Sequence, residues 1–459
     1  MMEEVRVLCP IGMLGGGFQE EAFFRAVDLK PHVIAADGGS TDSGPWHLGA
    51  GKPKPSRDAV KRDLRLMMIA RQQLGVPLIV GSCGTSGIDA GVDWTRDICL
   101  EIAAAENQHF KLALVYSEQD KEYLKSKFRE GRIKPLKPAP HLDEAVIDRC
   151  SHIVGMMGHE PIAAALDAGA DVVLAGRATD TALMAVMPLR MGAPAGPTWH
   201  AAKTMECGAA CTEGSHGGGG VFVRIDEEGF IIEPCSLRSR CTPSSIAGHT
   251  LYENSDPYYI TEPSGLSDTT KAHYFAVDDR TVKVTGSEFI AADQYTVKLE
   301  AAEPIGYETV AIGGVRDPYI LRELESWTAS MKGAFEHRVK QLYGHRLNPE
   351  DVSIDIRLYG YNAVMGDKEP LKDRTPHEVG ILFIVRAPDQ ATATDIAKFV
   401  SHGGSHFPVS KWTGGLISGI AYPFSPPEIE RGPAYRFAMN HVVEIDDPCE
   451  MVRFKYLDV

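Results

Sequence analysis

Four absences narrow what this 459-residue chain can be. It has no apolar run near the roughly 20 residues that cross a bilayer, so no membrane partner is expected. It has no GxxxxGK[ST] loop, which removes the P-loop nucleotide enzymes. It has no CxxC pair, and its nine cysteines are odd in number and widely scattered, which fits reduced thiols better than a disulfide framework. The start, MMEEVRVLCPI, carries acidic residues where a signal peptide is basic, so a cytoplasmic location is expected. Basic charge is also scarce: 47 Lys and Arg stand against 62 Asp and Glu, a formal net charge of -15, so no nucleic-acid partner is expected. Lys52, Lys54, Arg57, Lys61, Arg62 and Arg65 form the one local basic patch.

What the chain does have is glycine in polar turns at the ends of apolar strands. They are CPIGMLGGGF (9–18), AADGGSTDSGP (35–45), VGSCGTSGID (80–89) and VLAGRATDTA (173–182). A simple reversal needs one or two glycines. Turns that add Asp, Ser, Thr, Cys or Arg suit the rim of a ligand site, because glycine lets backbone N–H groups approach a ligand. Short apolar strands alternate with helical patterns through residue 215, including a helix capped by Ser56 and Asp58 with Val60, Leu64, Met67 and Met68 on one face. This predicts an α/β fold: a Rossmann-like, mostly parallel sheet domain over 1–215, with its ligand site beyond the strand carboxyl ends. Hairpin signals around Glu228-Gly229 and around Asp278, Asp279 and Arg280 then predict an α+β domain over 216–365, and 366–459 reads as a small α+β extension.

The glycine spacing in GMLGGGF departs from the dinucleotide fingerprint, which leaves Gly16 and Gly17 as backbone donors to a substrate. Asp37 and Asp42 flank Ser40 and Thr41; with Asp180 they read either as oxygen ligands for Mg²⁺ or as turn residues serving their own backbone. Cys83 is a nucleophile candidate, against the alternative that Gly84, Thr85, Ser86 and Ser82 simply bind an anion. Arg177 offers a carboxylate fork and His159 a neutral-pH acid/base, with helix capping as the alternative for His159 and Asp180. Lys203, Glu206 and Cys207 share one helical turn, so Lys203 and Glu206 form an acid/base candidate pair, while Cys207, Cys211 and His216 form a weak soft-metal pattern. SLRSRCTPSSIAGHTLYEN adds Arg238, Arg240, Thr242, Ser244 and His249, with Arg238 and Arg240 facing one way if they lie on a strand. His402 and His406 have helical metal-pair spacing, but Gly403 and Gly404 between them argue for a loop.

GGGF (15–18), ADGGSTDSGP (36–45), CGTSG (83–87), GRATDTAL (176–183), ECGA (206–209) and SIAGHTLYEN (245–254) make the chain resemble the acyclic terpene utilisation (AtuA-like) family over most of residues 5–360. The stretch from about 370, with FAMNHVVEIDD at 437–447, looks like a small companion domain encoded beside or fused to such proteins. The resemblance implies a catabolic setting with small carboxylates or acyl-CoA thioesters as substrates. Together these readings predict an enzyme of lyase or hydratase type acting on a hydroxy- or unsaturated carboxylic acid or its thioester, as a homo-oligomer or with a related subunit. The alternative is a non-catalytic carboxylate- or acyl-binding subunit of a larger complex.

Overall fold

The computed structural model describes residues 4–214, 219–409 and 418–459. The chain divides into two compact units, one of residues 1–303 with 437–459 and the other of residues 304–436.

A ten-stranded mixed sheet dominates the first unit. Its centre is parallel: Val5–Cys9, Val33–Asp37, Leu78–Gly81, Val172–Ala175 and Lys111–Tyr116 lie side by side in that order. These strands are apolar on both faces because helices cover both. Leu8, Ile34, Ala36, Leu78, Val80 and Leu174 pack under the helices Glu20–Val27, Arg57–Leu74 and Asp89–Glu106. Val7, Ala35, Ile79 and Val173 pack under Glu160–Asp167, Asp180–Arg190 and Ala195–Met205.

The parallel centre ends in antiparallel strands on both sides. Arg453–Asp458 pairs with Lys111–Tyr116, and Val221–Ile225 pairs with Val5–Cys9. The hairpin expected around Glu228-Gly229 is present, and so is the one around residues 278–280, but both extend this first sheet. A strand such as Val5–Cys9 would otherwise expose a row of unpaired backbone groups, and the hairpin covers it. The compact division therefore departs from the expected boundaries at 215 and 365. A mixed α/β architecture is present, with a parallel centre inside a mixed sheet rather than a mostly parallel one.

The first unit also contains a three-stranded antiparallel sheet, Tyr259–Glu262, Gly265–Asp268 and Glu288–Ala291. Residues 295–302 of the long strand Tyr295–Val315 pair with His152–Met156 and with His441–Ile445. In the second unit, residues 307–315 pair with Val379–Ala387, which pairs in turn with Ser353–Tyr359. Helices Leu324–Tyr343 and Gln390–Ser405 supply Trp327, Met331, Phe335, Ile396 and Val400 to its core.

Two local expectations fail, the first for a tertiary reason. His402, Gly403 and Gly404 lie inside the helix Gln390–Ser405, with His406 at its C-cap. A Cβ at Gly403 would sit 2.9 Å from the Phe335 ring, and one at Gly404 would sit 3.1 Å from Phe383. Close packing against these rings favours glycine there and outweighs its poor helix propensity. Ser56 occupies its predicted N-cap position but makes no side-chain capping bond. The basic patch is largely spent on the neighbouring helix: Arg57 and Lys61 pair with Glu101, and Arg65 with Glu106.

The first glycine turn has a built-in anion. The fully buried Asp63 carboxylate accepts N–H bonds from Gly15 and Gly17, each 3.0 Å, and pairs with Arg62 at 2.7 Å. Donors read from sequence as serving a substrate are thus satisfied by the protein itself, which corrects the substrate role of Gly17 and leaves Gly16 in a turn already closed on Asp63. Asp63→Ala strands two N–H groups and should cost about 2–4 kcal/mol of unfolding free energy, measured by denaturant titration.

Candidate functional site

The remaining three turns meet at the carboxyl ends of the central strands. Gly38 N–H bonds to Gly81 O at 2.8 Å, Ser82 N–H to Gly176 O at 2.9 Å, and Arg177 N–H to Ser117 Oγ at 2.6 Å. Gly87, at φ +66°, lies so close to the Arg177 backbone that a Cβ would stand 2.1 Å from its nitrogen. No other residue fits, which ties the third turn rigidly to the fourth. Met157 N–H to Arg177 O and Thr179 N–H to Met157 O, both 3.0 Å, fasten the loop that carries His159 to the same rim.

At the centre is Arg177, 5% exposed. Its Nε donates to Glu300 Oε2 at 2.9 Å and its Nη1 to Ser82 Oγ at 3.1 Å, with Asp180 at 3.7 Å. Burial alone would raise Glu300, but Arg177 outweighs it and holds that carboxyl below its ordinary range. The fork expected to grip a substrate carboxylate is therefore committed to a carboxylate of the chain. Thr41 also serves Glu300, through its hydroxyl at 3.1 Å. Ser40 and Asp42 sit on the outer part of the turn, where Ser40 Oγ donates to Asp42 Oδ2 at 2.6 Å, the self-contained arrangement.

Asp37 is buried beside this pair. Its Oδ2 accepts the Gly39 N–H at 2.8 Å, while Oδ1 is buried without a hydrogen-bond partner. Burial and then the charge of Asp180 raise Asp37 well above the ordinary carboxyl range, against the opposing pull of Arg177. Asp180 is itself raised, by burial, against Arg177 and Lys203. Next to this pair the hydroxyls of Thr85 and Ser86 are also buried and unpartnered, and the Thr85 side chain lies against Gly39. Thr85 holds φ at +96° and Ser82 at +43°. A β-branched residue there stores about 1–3 kcal/mol of strain, and such strain collects at ligand sites.

A second cluster adjoins the first through Asp180. Lys203 Nζ bonds to Glu206 Oε1 at 2.5 Å, both groups buried. Burial pushes Glu206 up to about 8 despite Lys203. Glu262, which the sequence reading missed, is pushed by burial to about 7 while accepting hydroxyls from Thr179 and Thr181. Glu300 was missed as well. A glutamate between the apolar residues Leu299, Ala301 and Ala302 of a strand is the signal that marks a buried charge.

Other expected residues have surroundings that the sequence did not show. Cys83 faces the core with its thiol bonded to Val80 O at 3.7 Å, and burial pushes it up to about 12, the opposite of a poised nucleophile. Gly84, in the same turn as Cys83, packs against Gly91 of the helix Asp89–Glu106. His159 stacks edge-on against Trp199 at 5.5 Å; burial lowers its pKa, and its charged neighbour is Glu160. Arg238 occupies the turn after Gly229–Pro234 and exposed Arg240 only an isolated antiparallel bridge to Glu213, with which it also pairs at 2.9 Å, so the two do not share a strand face. Asp37, Asp42 and Asp180 are not gathered into a three-carboxylate shell for Mg²⁺. Among the described residues the one group of three ligating side chains at metal spacing is Glu206, Cys207 and His249. Cys211 is buried and bonds to Gly208 O, outside that group, and His216 lies outside the described residues.

Buried, mutually perturbed charges thus gather at the carboxyl ends of the central strands, the place where open α/β sheets bind ligands. A match to the acyclic terpene utilisation family protein AtuA spans residues 80–408, more than half of the chain, and the chain belongs to that family. The matched segment includes CGTSG, GRATDTAL, ECGA and SIAGHTLYEN, starts after ADGGSTDSGP, and runs beyond 366. No curated protein and no solved structure matches the chain. Among the described residues, no helix is long and apolar enough to cross a membrane.

Two outcomes follow from this geometry. Glu300→Ala leaves the Arg177 guanidinium buried without its main partner and should cost about 3–5 kcal/mol in denaturant unfolding. Because Glu300 titrates lower folded than unfolded, its contribution is full above the unfolded carboxyl value of about 4.3 and is lost as pH falls through the folded value. Thr85→Gly should raise stability by about 1 kcal/mol, strain relief exceeding the entropy cost of glycine, while weakening ligand binding.

Proposed function

We propose that this protein is an enzyme acting on a small hydroxy- or unsaturated carboxylic acid, or its CoA thioester, by adding or eliminating water. The observation that carries the reading is a set of three buried, unpartnered oxygens in adjoining turns: Asp37 Oδ1, Thr85 Oγ1 and Ser86 Oγ. Each costs about 1–3 kcal/mol when uncovered, and a substrate hydroxyl or carbonyl would relieve it.

Asp37 is suited to proton donation. Burial and Asp180 raise its pKa and favour the protonated form, while Arg177 lowers that of Glu300 and favours the ionised form, so two carboxyls around one guanidinium are pushed in opposite directions. In elimination, Asp37 gives its proton to the leaving hydroxyl as the C–O bond breaks. His159, kept neutral by burial, accepts the proton from the adjacent carbon as its C–H bond breaks and the double bond forms. Lys203 supplies positive potential nearby, since its partner Glu206 outweighs the burial that would discharge it.

A second reading, a non-catalytic acyl-binding subunit, is favoured by one observation: both buried cations, Arg177 and Lys203, already hold carboxylates of the chain. Binding of a thioester without turnover in the pure protein would select it.

Asp37→Asn decides for or against the enzyme reading. With short 3-hydroxyacyl- and 2-enoyl-CoA thioesters and the free acids as substrates, kcat should fall at least about 100-fold, with ligand affinity within about tenfold. Wild-type activity should decline as pH rises through the raised Asp37 value. Stability has the same sign: the benefit of a neutral Asp37 is full below the unfolded value of about 3.9 and is lost as pH rises through the folded one. The variant should therefore gain stability relative to wild type with rising pH. A variant with unchanged kcat defeats the assignment.

A further inference from the structure

Glu206 and Cys207 are consecutive, and a regular helix would splay their side chains about 100° apart. They converge because the helix Ala195–Met205 ends there: Glu206 is its C-cap, and Cys207 leaves helical geometry at φ -90°, ψ 17°. The first glycine turn fixes this corner, since a Cβ on Gly12 would stand 2.6 Å from the Cys207 backbone. The third member arrives from a separate element. His249 closes the short helix Pro243–His249, whose start is locked by a capping box between Thr242 and Ser245. One ligand atom from each of Glu206, Cys207 and His249 lies within 4.8 Å of the other two.

His249 adds an independent sign that a partner belongs there. The residue is 6% exposed, and its Nε2 is buried with no hydrogen bond. Its ring stacks on Tyr252 at 5.6 Å, which fixes the plane of the imidazole. Glu206 is bonded to Lys203 through Oε1, so the carboxylate is oriented while its other oxygen keeps acceptor capacity. Acidic side chains surround the corner: Asp180 and Glu262 neighbour Glu206, and Asp180 and Glu253 neighbour Cys207.

We propose that Glu206, Cys207 and His249 form a binding site for a divalent zinc-class ion. The donor set decides the class. Thiolate and imidazole select borderline-soft ions over Mg²⁺ or Ca²⁺, which take oxygen shells. Three protein ligands of mixed S, N and O type leave a fourth tetrahedral position open, as in zinc sites that polarise a bound oxygen. The open side is that of Cys207, the one ligand of the three that is partly exposed. Edges of a tetrahedral zinc shell measure about 3.3–3.8 Å, so ligand atoms within 4.8 Å of one another need close in by only about 1.5 Å at most. The site replaces the Cys207, Cys211 and His216 pattern with a different set, and it stands apart from Asp37 as proton donor.

The test uses the full chain after chelator dialysis, titrated calorimetrically with Zn²⁺ and spectroscopically with Co²⁺. One equivalent of Zn²⁺ bound with Kd below about 10 µM is expected, together with thiolate-to-cobalt charge-transfer absorption. Cys207→Ser should remove that absorption and Cys449→Ser should keep it. His249→Ala should weaken zinc at least about 100-fold, with His249→Gln as the conservative second variant and circular dichroism reporting the fold of both. Asp37→Asn should leave zinc binding unchanged, which separates failure of this site from failure of the proton-donor reading. Zinc binding weaker than about 10 µM, or binding that the His249 and Cys207 variants retain, overturns the proposal.

Discussion

The buried Arg177 guanidinium is the constraint on which the site depends. An ion of that size costs several kcal/mol to remove from water unless charges and hydrogen bonds replace its hydration. Glu300, Ser82 and Asp180 supply them, and they come from three separate stretches of chain. Because Arg177 follows the strand Val172–Ala175 directly, satisfying it fixes the ends of neighbouring strands relative to one another. The close approach of Gly87 to the Arg177 backbone then leaves the intervening turn no freedom to move.

That network explains the opposite behaviour of the surrounding carboxyls. Glu300 touches the guanidinium and stays ionised. Asp37, Glu206 and Glu262 are as deeply buried, yet burial prevails over their cationic neighbours and all three are raised. The buried acids outnumber Arg177 and Lys203, the two buried cations at the site. Such an imbalance can be met by retained protons or by a bound cation. Asp37 suits the first solution, with its free Oδ1 among hydroxyls. The corner of Glu206, Cys207 and His249 suits the second, with nitrogen and sulfur donors beside the carboxylate.

Much of this was legible along the chain. The parallel centre follows from short apolar strands alternating with amphipathic helices, and the turns at 35–45, 80–89 and 173–182 do meet at the strand ends. What misled was the chemistry of partners. Gly15 and Gly17 look like anion donors, and they are, but the anion is Asp63 from a helix more than forty residues away. Arg177 looks like a substrate fork and is already filled by Glu300. Cys83 stands in a polar turn, yet its side chain points into the core.

By itself the sequence determined the elements and the rim, because hydrophobic period, glycine and turn residues act over a few positions of chain. It also determined which groups were available for chemistry. Only the tertiary structure decided which of them are free. Hydrogen bonds and ion pairs close between residues far apart in sequence, and burial sets which member of a pair keeps its charge. The same reason lets Gly403 and Gly404 stay helical, where close packing outweighs propensity. It also brings His249 to Glu206 and Cys207, a meeting that no spacing along the chain records.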